Sequence, residues 1–335
     1  MKKKNNKSSL MASLAIVLAI LACNVSLPSF TSSGQETPNV PSPTPSATST
    51  NTPAATAGAA NPLPTFAADT PTPTLTHGLI PTTGDVKTYK HIIDTVSIDT
   101  ASEKRAPTGD SYKLNRFERP FLQDMTYVPD LDIASYSFGA DDNFFFVSIE
   151  LVGANPNNAL GINYGVEIDF DADGFGDLII LASPPYNVEW VTDNVQIFAD
   201  KNHDTGGLSA EKSDAPVPGD GYETMTFNGG RGQGDDPDLA WVRVNAGRLA
   251  TVQFAFKRSL VNDRFMYGVI ADAGIKDVGK MDYVDRFTEF EAGSPEKGSN
   301  SYPLKELYAI DNVCRESYGF PGTGQEPQLC PRPNH

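Results

Sequence analysis

Cysteine, histidine and basic residues are scarce in this chain, and each shortage excludes a class of function. Only three of the 335 residues are cysteine and four are histidine, and His77 and His335 lie outside the predicted strands. A Ser-His-Asp triad or a multi-histidine zinc site therefore has few candidate members, and neither GxSxG nor HExxH occurs. Lysine and arginine total 26 against 42 acidic residues, and the net charge is −16. This charge argues against nucleic-acid binding, and no catalytic constellation is identifiable.

Long hydrophobic runs are also missing, apart from one near the N-terminus. Residues 10–23 read LMASLAIVLAILAC and follow four lysines within residues 2–7. The run is short for a membrane span, and a basic start followed by a short apolar stretch is typical of a secretory signal. The last four residues, ILAC, resemble a bacterial lipobox, although Leu21 departs from the small residue usual at that position.

The lipobox resemblance implies that residues 1–22 are a signal peptide and that Cys23 carries membrane lipid. The rest of the chain is then extracytoplasmic, anchored at the outer face of the membrane. An uncleaved anchor helix is the alternative, and it also places the rest of the chain outside the cytoplasm. Without residues 1–22, which contain four lysines and no acidic residue, the net charge becomes −20.

Segment 23–83 has few large apolar residues. From about Thr31 to Pro81 it consists mainly of Ser, Thr, Pro and Ala, as in PSPTPSATSTNTPAATAG. Such a segment cannot bury enough surface to offset its ordering entropy, so the composition predicts a disordered tether. An extended chain of this composition rises about 3 Å per residue, which gives a reach of up to ~150 Å. The predicted globular domain is 84–335.

Apolar and polar residues alternate in several short segments of this domain. FFFVSIEL at 144–151 and TVQFAFK at 251–257 each place apolar side chains at every second position. A period of two marks half-buried strands. Several antiparallel strands with Gly, Asp and Asn turns predict an all-β fold, specifically an antiparallel β-sandwich. Residues 133–146 are predicted to form a hairpin that turns through ADDN, and further candidate strands lie at 195–199, 222–227, 241–244 and 265–271.

One short helix and one disulfide are predicted near the C-terminus. YPLKELYAIDNVC at 302–314 has Pro303 in a first turn and apolar residues on one stripe, which favours a helix. If Cys23 carries lipid, Cys314 and Cys330 remain as an even pair in an oxidising compartment. We therefore predict that they form a disulfide, with two free thiols as the alternative.

Four aspartates lie close together in EIDFDADGFGDLIIL (167–181), between two predicted strands. Their loop has the form DxDxDGxGD. Calcium needs six to eight oxygens at ~2.4 Å, and alternate aspartates on a curling loop supply several of them. Gly174 permits the sharp turn, and a backbone carbonyl adds another oxygen. The predicted ligands are Asp169, Asp171, Asp173, the carbonyl of Phe175, and Asp177.

This loop departs from the EF-hand, because its twelfth position is Ile180 rather than glutamate. It resembles the β-loop-β calcium hairpins of integrin propeller blades, in which strands flank the loop and the ninth position is acidic. The resemblance covers nine residues and implies calcium, not a propeller. An acidic turn without metal is the alternative, but turn chemistry explains one Asp-Gly pair and not four aspartates.

A second candidate loop, DKNHDTGGLSAE, spans 200–211. Thr205 stands where an EF-hand has glycine, so a polar surface loop is the alternative. His203 is at an even position and is predicted to point away from the metal, since calcium rarely takes imidazole. The predicted ligands are Asp200, Asn202, Asp204, Gly206 and Glu211.

The sequence does not decide whether the two acidic loops lie at the same edge of the sheet. If residues 188–199 form one bent strand, we expect both loops at the same edge of the sheet. If TDN at 192–194 is a turn, we expect them at opposite edges.

Several aromatic and basic residues of the domain have either a structural or a ligand-binding interpretation. Five rings are candidates for a platform on which sugars stack, although the two tryptophans also suit a core. Four basic residues of the domain are interpreted as scattered surface charges. The rings are Trp190, Trp241, Tyr164, Tyr186 and Tyr222, and the basic residues are Arg231, Arg243, Lys257 and Arg258.

The lipobox cysteine, the Thr/Pro tether and the acidic all-β domain together resemble bacterial surface lipoproteins. DLDIASYSFGADDNFFFVSIEL followed by YGVEIDFDADGFGD also resembles DOMON and family-9 carbohydrate-binding-module sandwiches, such as the C-terminal domain of glucodextranases. The resemblance covers about residues 130–180 and implies a sandwich fold. No haem axial pair is evident.

These features predict a membrane-anchored, non-catalytic calcium-binding module that is a monomer. Carbohydrate binding is one hypothesis for it, with a cell-wall or environmental glycan as the partner. A secreted polysaccharide hydrolase that uses a carboxylate pair is the first alternative. A structural or adhesive protein of the cell envelope is the second.

Overall fold

The computed structural model describes residues 75–107, 114, 116–207, 217–245, 247–282 and 307–332. All of them belong to one compact unit, Thr70–His335. The predicted signal peptide, Cys23 and the tether up to residue 74 lie outside the described residues. In the part of the chain that the structure describes, no helix is long and apolar enough to cross a membrane.

The described residues form two antiparallel sheets. The five-stranded sheet has the order β1-β2-β3-β9-β8, and the seven-stranded sheet has the order β11-β10-β4-β5-β6-β7 with β12 also paired to β10. The predicted fold class, an all-β antiparallel sandwich, is confirmed. The strands are Thr88–Ile93 (β1), Ile133–Ala140 (β2), Phe144–Leu151 (β3), Asn163–Asp169 (β4), Leu178–Ala182 (β5), Val195–Ala199 (β6), Thr224–Asn228 (β7), Ala240–Asn245 (β8), Thr251–Lys257 (β9), Phe265–Asp272 (β10), Ile310–Asn312 (β11) and Glu316–Tyr318 (β12).

The main core lies between the two sheets. Val147 and Ile149 of β3 and Val252 and Phe254 of β9 are all fully buried in it, as is Val166 of β4 on the opposite sheet. These are the faces that the alternation of apolar and polar residues predicts, because successive side chains of a strand point to opposite sides.

Strand β5 does not alternate, because it is covered on both faces. Ile180 faces the main core, whereas Ile179 and Leu181 pack with Tyr222 and Ile270 in a second cluster. A strand buried on both sides reads as a continuous apolar run. This double burial explains why the apolar LIIL directly follows the acidic loop.

The helix predicted at 302–314 is wrong for the part of it that the structure describes. Residues 302–306 lie outside that part, and Ile310–Asn312 form β11, which pairs with the edge of β10. Ala309 has a left-handed φ of 55°, a conformation that ends a helical path. Pairing with β10 and the left-handed turn at Ala309 therefore decide the conformation here, although the apolar residues have helical spacing.

The predicted disulfide between Cys314 and Cys330 is present in the structure. It closes a C-terminal loop whose two ends run side by side. Arg315 N–H donates to the Gln328 carbonyl at 2.8 Å, and Cys330 N–H donates to the Arg315 carbonyl at 2.8 Å. The loop is therefore held by backbone pairing as well as by the covalent bond.

Replacing both cysteines by serine (Cys314→Ser with Cys330→Ser) is expected to lower the free energy of unfolding by about 3 kcal/mol. The reason is that the crosslink restricts the unfolded chain across a loop of about 15 residues. Urea denaturation of the oxidised protein and of the variant measures the difference. A reductant should bring the parent protein to the same midpoint and leave the variant unchanged, and equal stability of the two oxidised proteins would contradict the prediction.

The described part of the tether packs on the domain. His77 Nδ1 lies 2.8 Å from Asp238 Oδ1, and the N–H groups of Gly78 and Leu79 donate to Asp238 Oδ2 at 2.9 and 2.8 Å. Leu79 also packs against an outer aromatic cluster. The packed chain therefore begins before the predicted boundary at residue 84.

Candidate metal centre

The first acidic loop, residues 169–177, joins β4 to β5 and curls around its own carboxylates. Asp169 is fully buried, and its Oδ1 accepts the Ala172 N–H at 2.6 Å while its Oδ2 accepts the Gly174 N–H at 3.1 Å. Ala172 has a left-handed φ of 64°. Asp177 closes the loop, because its Oδ2 accepts the Phe170 N–H at 2.6 Å.

The second acidic loop, described over residues 200–207, follows the same backbone path. Asp200 Oδ1 accepts the His203 N–H at 2.7 Å, and Asp200 Oδ2 accepts the Thr205 N–H at 2.9 Å. His203 has a left-handed φ of 62°. In both loops the leading aspartate thus holds the N–H groups three and five residues further on, and the third residue after it is left-handed.

An antiparallel bridge between Phe175 and Gly206, the seventh residues of their loops, joins the two loops. Gly176 N–H donates to the Thr205 carbonyl at 2.8 Å, and Gly207 N–H donates to the Gly174 carbonyl at 2.9 Å. In both bonds the N–H of the eighth residue of one loop donates to the carbonyl of the sixth residue of the other loop, so the two loops pair symmetrically. The bridge does not use the carbonyls of Phe175 and Gly206, the seventh-position oxygens that the sequence nominates as ligands.

The two loops lie at the same edge of the seven-stranded sheet. The first precedes β5, the second follows β6, and Leu178 pairs with Ala199 where they meet. Residues 192–194 nevertheless form a turn, so the inference that such a turn places the loops at opposite edges is wrong. Val191 bridges to Val242 of the other sheet, and the whole connection from β5 to β6 therefore lies at the far edge.

Carboxylate oxygens converge in each loop. One oxygen each from Asp169, Asp171 and Asp177 lie within 4.8 Å of one another, and the same holds for Asp200, Asp204 and Glu223. Oxygens that share a calcium ion at 2.3–2.6 Å are at most about 5 Å apart, so both groups fit the ion. The Oδ1 atom of Asp204 is buried and has no hydrogen-bond partner, which leaves it available as a ligand.

Glu223 is a candidate ligand that the sequence does not reveal. It immediately precedes β7, and it is brought to the second loop because Thr224 pairs with Ala199 at the end of β6. The nominated Glu211 lies outside the described residues. The sequence contains no local sign of Glu223, since its position depends on strand pairing.

Two nominated ligands turn towards other partners. Asp173 Oδ2 lies 2.8 Å from His203 Nε2, and the Asp173 side chain is not among the three that converge in its loop. Asn202 Nδ2 donates to Asp204 Oδ2 at 2.6 Å. His203 belongs to neither group of converging carboxylates, and its ring leaves its own loop and lies 4.4 Å from the Phe175 ring of the first loop.

Burial, with neighbouring negative charge, raises the pKa of two carboxyl groups in the loops. Burial, with the charges of Asp200 and Glu223, raises the pKa of Asp204. Burial also raises the pKa of Asp177, and the charge of Asp171 adds to this rise. Raised carboxyl pKa values mark ionised groups that lack compensation, and a bound cation supplies it.

Arg315 partly compensates the first loop from within the protein. Its buried guanidinium donates from Nη1 to Asp169 Oδ2 at 2.9 Å and to the Gly174 carbonyl at 3.0 Å, and from Nε to Glu167 Oε2 at 3.1 Å. Burial raises the pKa of Asp169 to about 6 although Arg315 opposes the rise. For Glu167 burial is outweighed by the charges of Arg315 and Arg116, which lower its pKa well below the ordinary value.

The aromatic rings nominated as a sugar-stacking platform are buried instead. Trp241 and Tyr222 are each 2% exposed, Tyr164 is fully buried, and Trp190 is the most exposed of the five at 8%. The alternative, that the tryptophans pack inside the molecule, is the one observed.

No family model matches the chain, and neither curated proteins nor solved structures yield a match. The resemblances to surface lipoproteins, to integrin calcium hairpins and to DOMON-like sandwiches therefore stay predictions from their residues.

Proposed function

We propose that this protein is a non-catalytic calcium-binding module, anchored through a lipid on Cys23 at the outer face of the membrane. The observation that supports calcium binding most strongly is the repetition of one loop geometry in two sequences. Each loop has a leading aspartate that organises the backbone, converging carboxylate oxygens, and a seventh-position carbonyl that the bridge between the loops does not use. Alternate oxygen ligands on a tight loop are the arrangement that calcium requires.

Each loop has its own set of oxygen ligands in this proposal. In the first loop, Asp169, Asp171 and Asp177 with the Phe175 carbonyl would hold one ion. Asp200, Asp204 and Glu223 with the Gly206 carbonyl would hold a second. Water completes the shells, since calcium takes six to eight oxygens.

Calcium in these loops acts as a structural crosslink. The ligands come from the end of β4, the start of β5, the end of β6 and the start of β7. An ion that binds only when these strands are assembled stabilises the native state by mass action. Extracellular calcium is abundant, and a secreted domain is therefore a suitable place for such a crosslink.

The proposed location rests on the N-terminal sequence alone. Residues 2–7 are basic, the following run ends at Cys23, and 23–83 is rich in Ser, Thr and Pro. A tether of this length holds the domain away from the bilayer, as suits a module that meets partners outside the cell.

Asp171→Ala is expected to remove much of the calcium dependence of the melting temperature. Asp171 is exposed, so its loss should not alter stability in EDTA. At a free calcium concentration of 100 times Kd, one site contributes about 2.7 kcal/mol to the parent protein. Scanning calorimetry in calcium and in EDTA measures this contribution directly.

Asp142→Ala is the matched control, because Asp142 is an exposed aspartate in the turn between β2 and β3. It should keep the full calcium response. If calcium stabilises Asp171→Ala as much as the parent protein, the first loop is not a calcium site. If calcium stabilises neither protein, the proposed function is wrong.

A further inference from the structure

A row of polar side chains crosses the outer face of the five-stranded sheet, with one residue from each strand. Backbone pairing aligns His91 with Ser137, Ser137 with Ser148, Ser148 with Gln253, and Gln253 with Arg243. Directly paired residues share one face of a sheet, so all five side chains lie on the same side. None of them belongs to the acidic loops, which lie on the other sheet.

Hydrogen bonds fix the orientation of this polar row. Gln253 Nε2 donates to Ser148 Oγ at 3.2 Å, and Arg243 Nε donates to Gln253 Oε1 at 2.6 Å. His91 Nδ1 lies 2.9 Å from Ser137 Oγ. The row is therefore an ordered set of donors and acceptors, and the reading of Arg243 as a scattered surface charge does not describe it.

The Arg243 side chain is held in a fixed orientation by its neighbours. Its guanidinium carbon lies 4.6 Å from the centre of the Trp190 ring, a distance typical of a stacked cation–π pair. The side chain is partly exposed, and its two terminal amino groups donate to none of the described residues. A planar, permanently charged donor with free N–H groups is suited to hold paired oxygens.

A groove of about 530 Å³ lies over four residues of the polar row, Ser137, Ser148, Gln253 and Arg243. One wall is the segment from Thr82 to Thr88, which connects the tether to the domain, and Trp190 Nε1 donates to the Thr82 carbonyl at 3.0 Å. Phe146 and Trp190, each 8% exposed, border the polar floor. The volume falls within the range of about 300–1,000 Å³ that is usual for small-molecule sites.

The lining of the groove carries no net charge although the protein is strongly acidic. Among the described residues that line it, Arg243 is the one cation and Asp85 the one anion, and most of the other polar groups are hydroxyls and amides. The overall charge of −16 repels polyanions, so charge favours a neutral ligand. A single carboxyl group is also too few for the usual acid and base pair of a glycosidase, which favours binding without cleavage.

We propose that this groove binds a neutral saccharide. Vicinal hydroxyls of a sugar accept from the free N–H groups of Arg243 and pair with Gln253 and the serines. The site is separate from the calcium loops and does not depend on them.

The test uses the full protein on an array of neutral and acidic glycans, in calcium and in EDTA, followed by titration calorimetry with the strongest neutral oligosaccharide. Arg243→Ala and Gln253→Ala should each weaken binding about tenfold or more, the loss expected for hydrogen bonds to a charged or fixed polar group. Arg248→Ala, an exposed arginine in the turn between β8 and β9, should bind as the parent does.

Each outcome distinguishes this proposal from the calcium proposal. Neutral-glycan binding that falls in both groove variants and persists in Arg248→Ala supports the saccharide site, whether or not calcium stabilises the protein. Absence of neutral-glycan binding, binding of acidic glycans alone, or binding unchanged in Arg243→Ala would overturn it. Melting curves of the variants, expected to match the parent, show that any loss is local.

Discussion

Arg315→Met is expected to lower the free energy of unfolding by about 5 kcal/mol. Arg315 is fully buried and its guanidinium contacts two carboxylates, Glu167 and Asp169. Breaking a buried ion pair from one side costs about 3–5 kcal/mol, because an uncompensated charge stays behind. Methionine fills most of the volume but supplies no charge, so two buried acids lose their main cation.

Arg116 compensates only part of the charge that Arg315→Met leaves unpaired. Its Nη1 donates to Glu167 Oε2 at 2.8 Å, but it makes no bond to Asp169 among the described residues. In Arg315→Met, Asp169 therefore depends on the loop N–H groups and on any bound calcium. We expect calcium to restore more stability to this variant than it adds to the parent protein.

Urea denaturation in EDTA and in calcium measures both effects. Arg264→Met is the control, because Arg264 is an exposed arginine near the same tail and its guanidinium lies over the Phe320 ring. Adding Glu167→Gln and Asp169→Asn to Arg315→Met should recover part of the loss in EDTA, since the stranded charges are then absent. A loss below about 1 kcal/mol for Arg315→Met would contradict this account of the buried network.

Local patterns in the sequence predict the strands and the acidic loops well, because these patterns act over a few residues. Alternation in β3 and β9 identifies both the strands and their buried faces. The DxDxD spacing of the first loop and the DxNxD spacing of the second place the leading aspartates where they organise their loops. Such features depend on the period of the strand and on the short reach of an aspartate side chain.

Long-range pairing is what the sequence does not reveal. Glu223 and Arg315 reach the loops through β7 and the C-terminal tail, and neither is near the acidic motifs in sequence. The polar row is similarly hidden, since each member reads as an ordinary outward residue of its own strand. The predicted C-terminal helix fails for the same reason, because pairing with β10 decides the conformation of Ile310–Asn312.

Gly176→Ala is expected to lower the free energy of unfolding by about 4 kcal/mol and to weaken calcium binding. A Cβ at this position would overlap Tyr222 Oη and lie 2.8 Å from Glu167 Oε1. Overpacking costs about 1–3 kcal/mol, and a lost buried hydrogen bond costs a similar amount. The bond at risk is the one that Tyr222 Oη donates to Glu167 Oε1 at 2.7 Å.

The same methyl group disturbs the joint between the two loops, because Gly176 N–H donates to the Thr205 carbonyl. A shift of the backbone there separates both sets of converging oxygens, so calcium affinity should fall at both loops together. Gly279→Ala is the control, since the nearest atom to its added Cβ is Asp277 Oδ1 at an ordinary 3.7 Å.

Tyr222→Phe in the Gly176→Ala background tests the cause of the effect. Removing the hydroxyl eliminates the closest contact, so the second change should cost less in the variant than in the parent protein, or should even stabilise it. A double-mutant cycle of unfolding free energies, measured in EDTA, gives this coupling directly. Additive effects of the two changes would mean that Gly176 is required for its backbone path rather than for the space beside Tyr222.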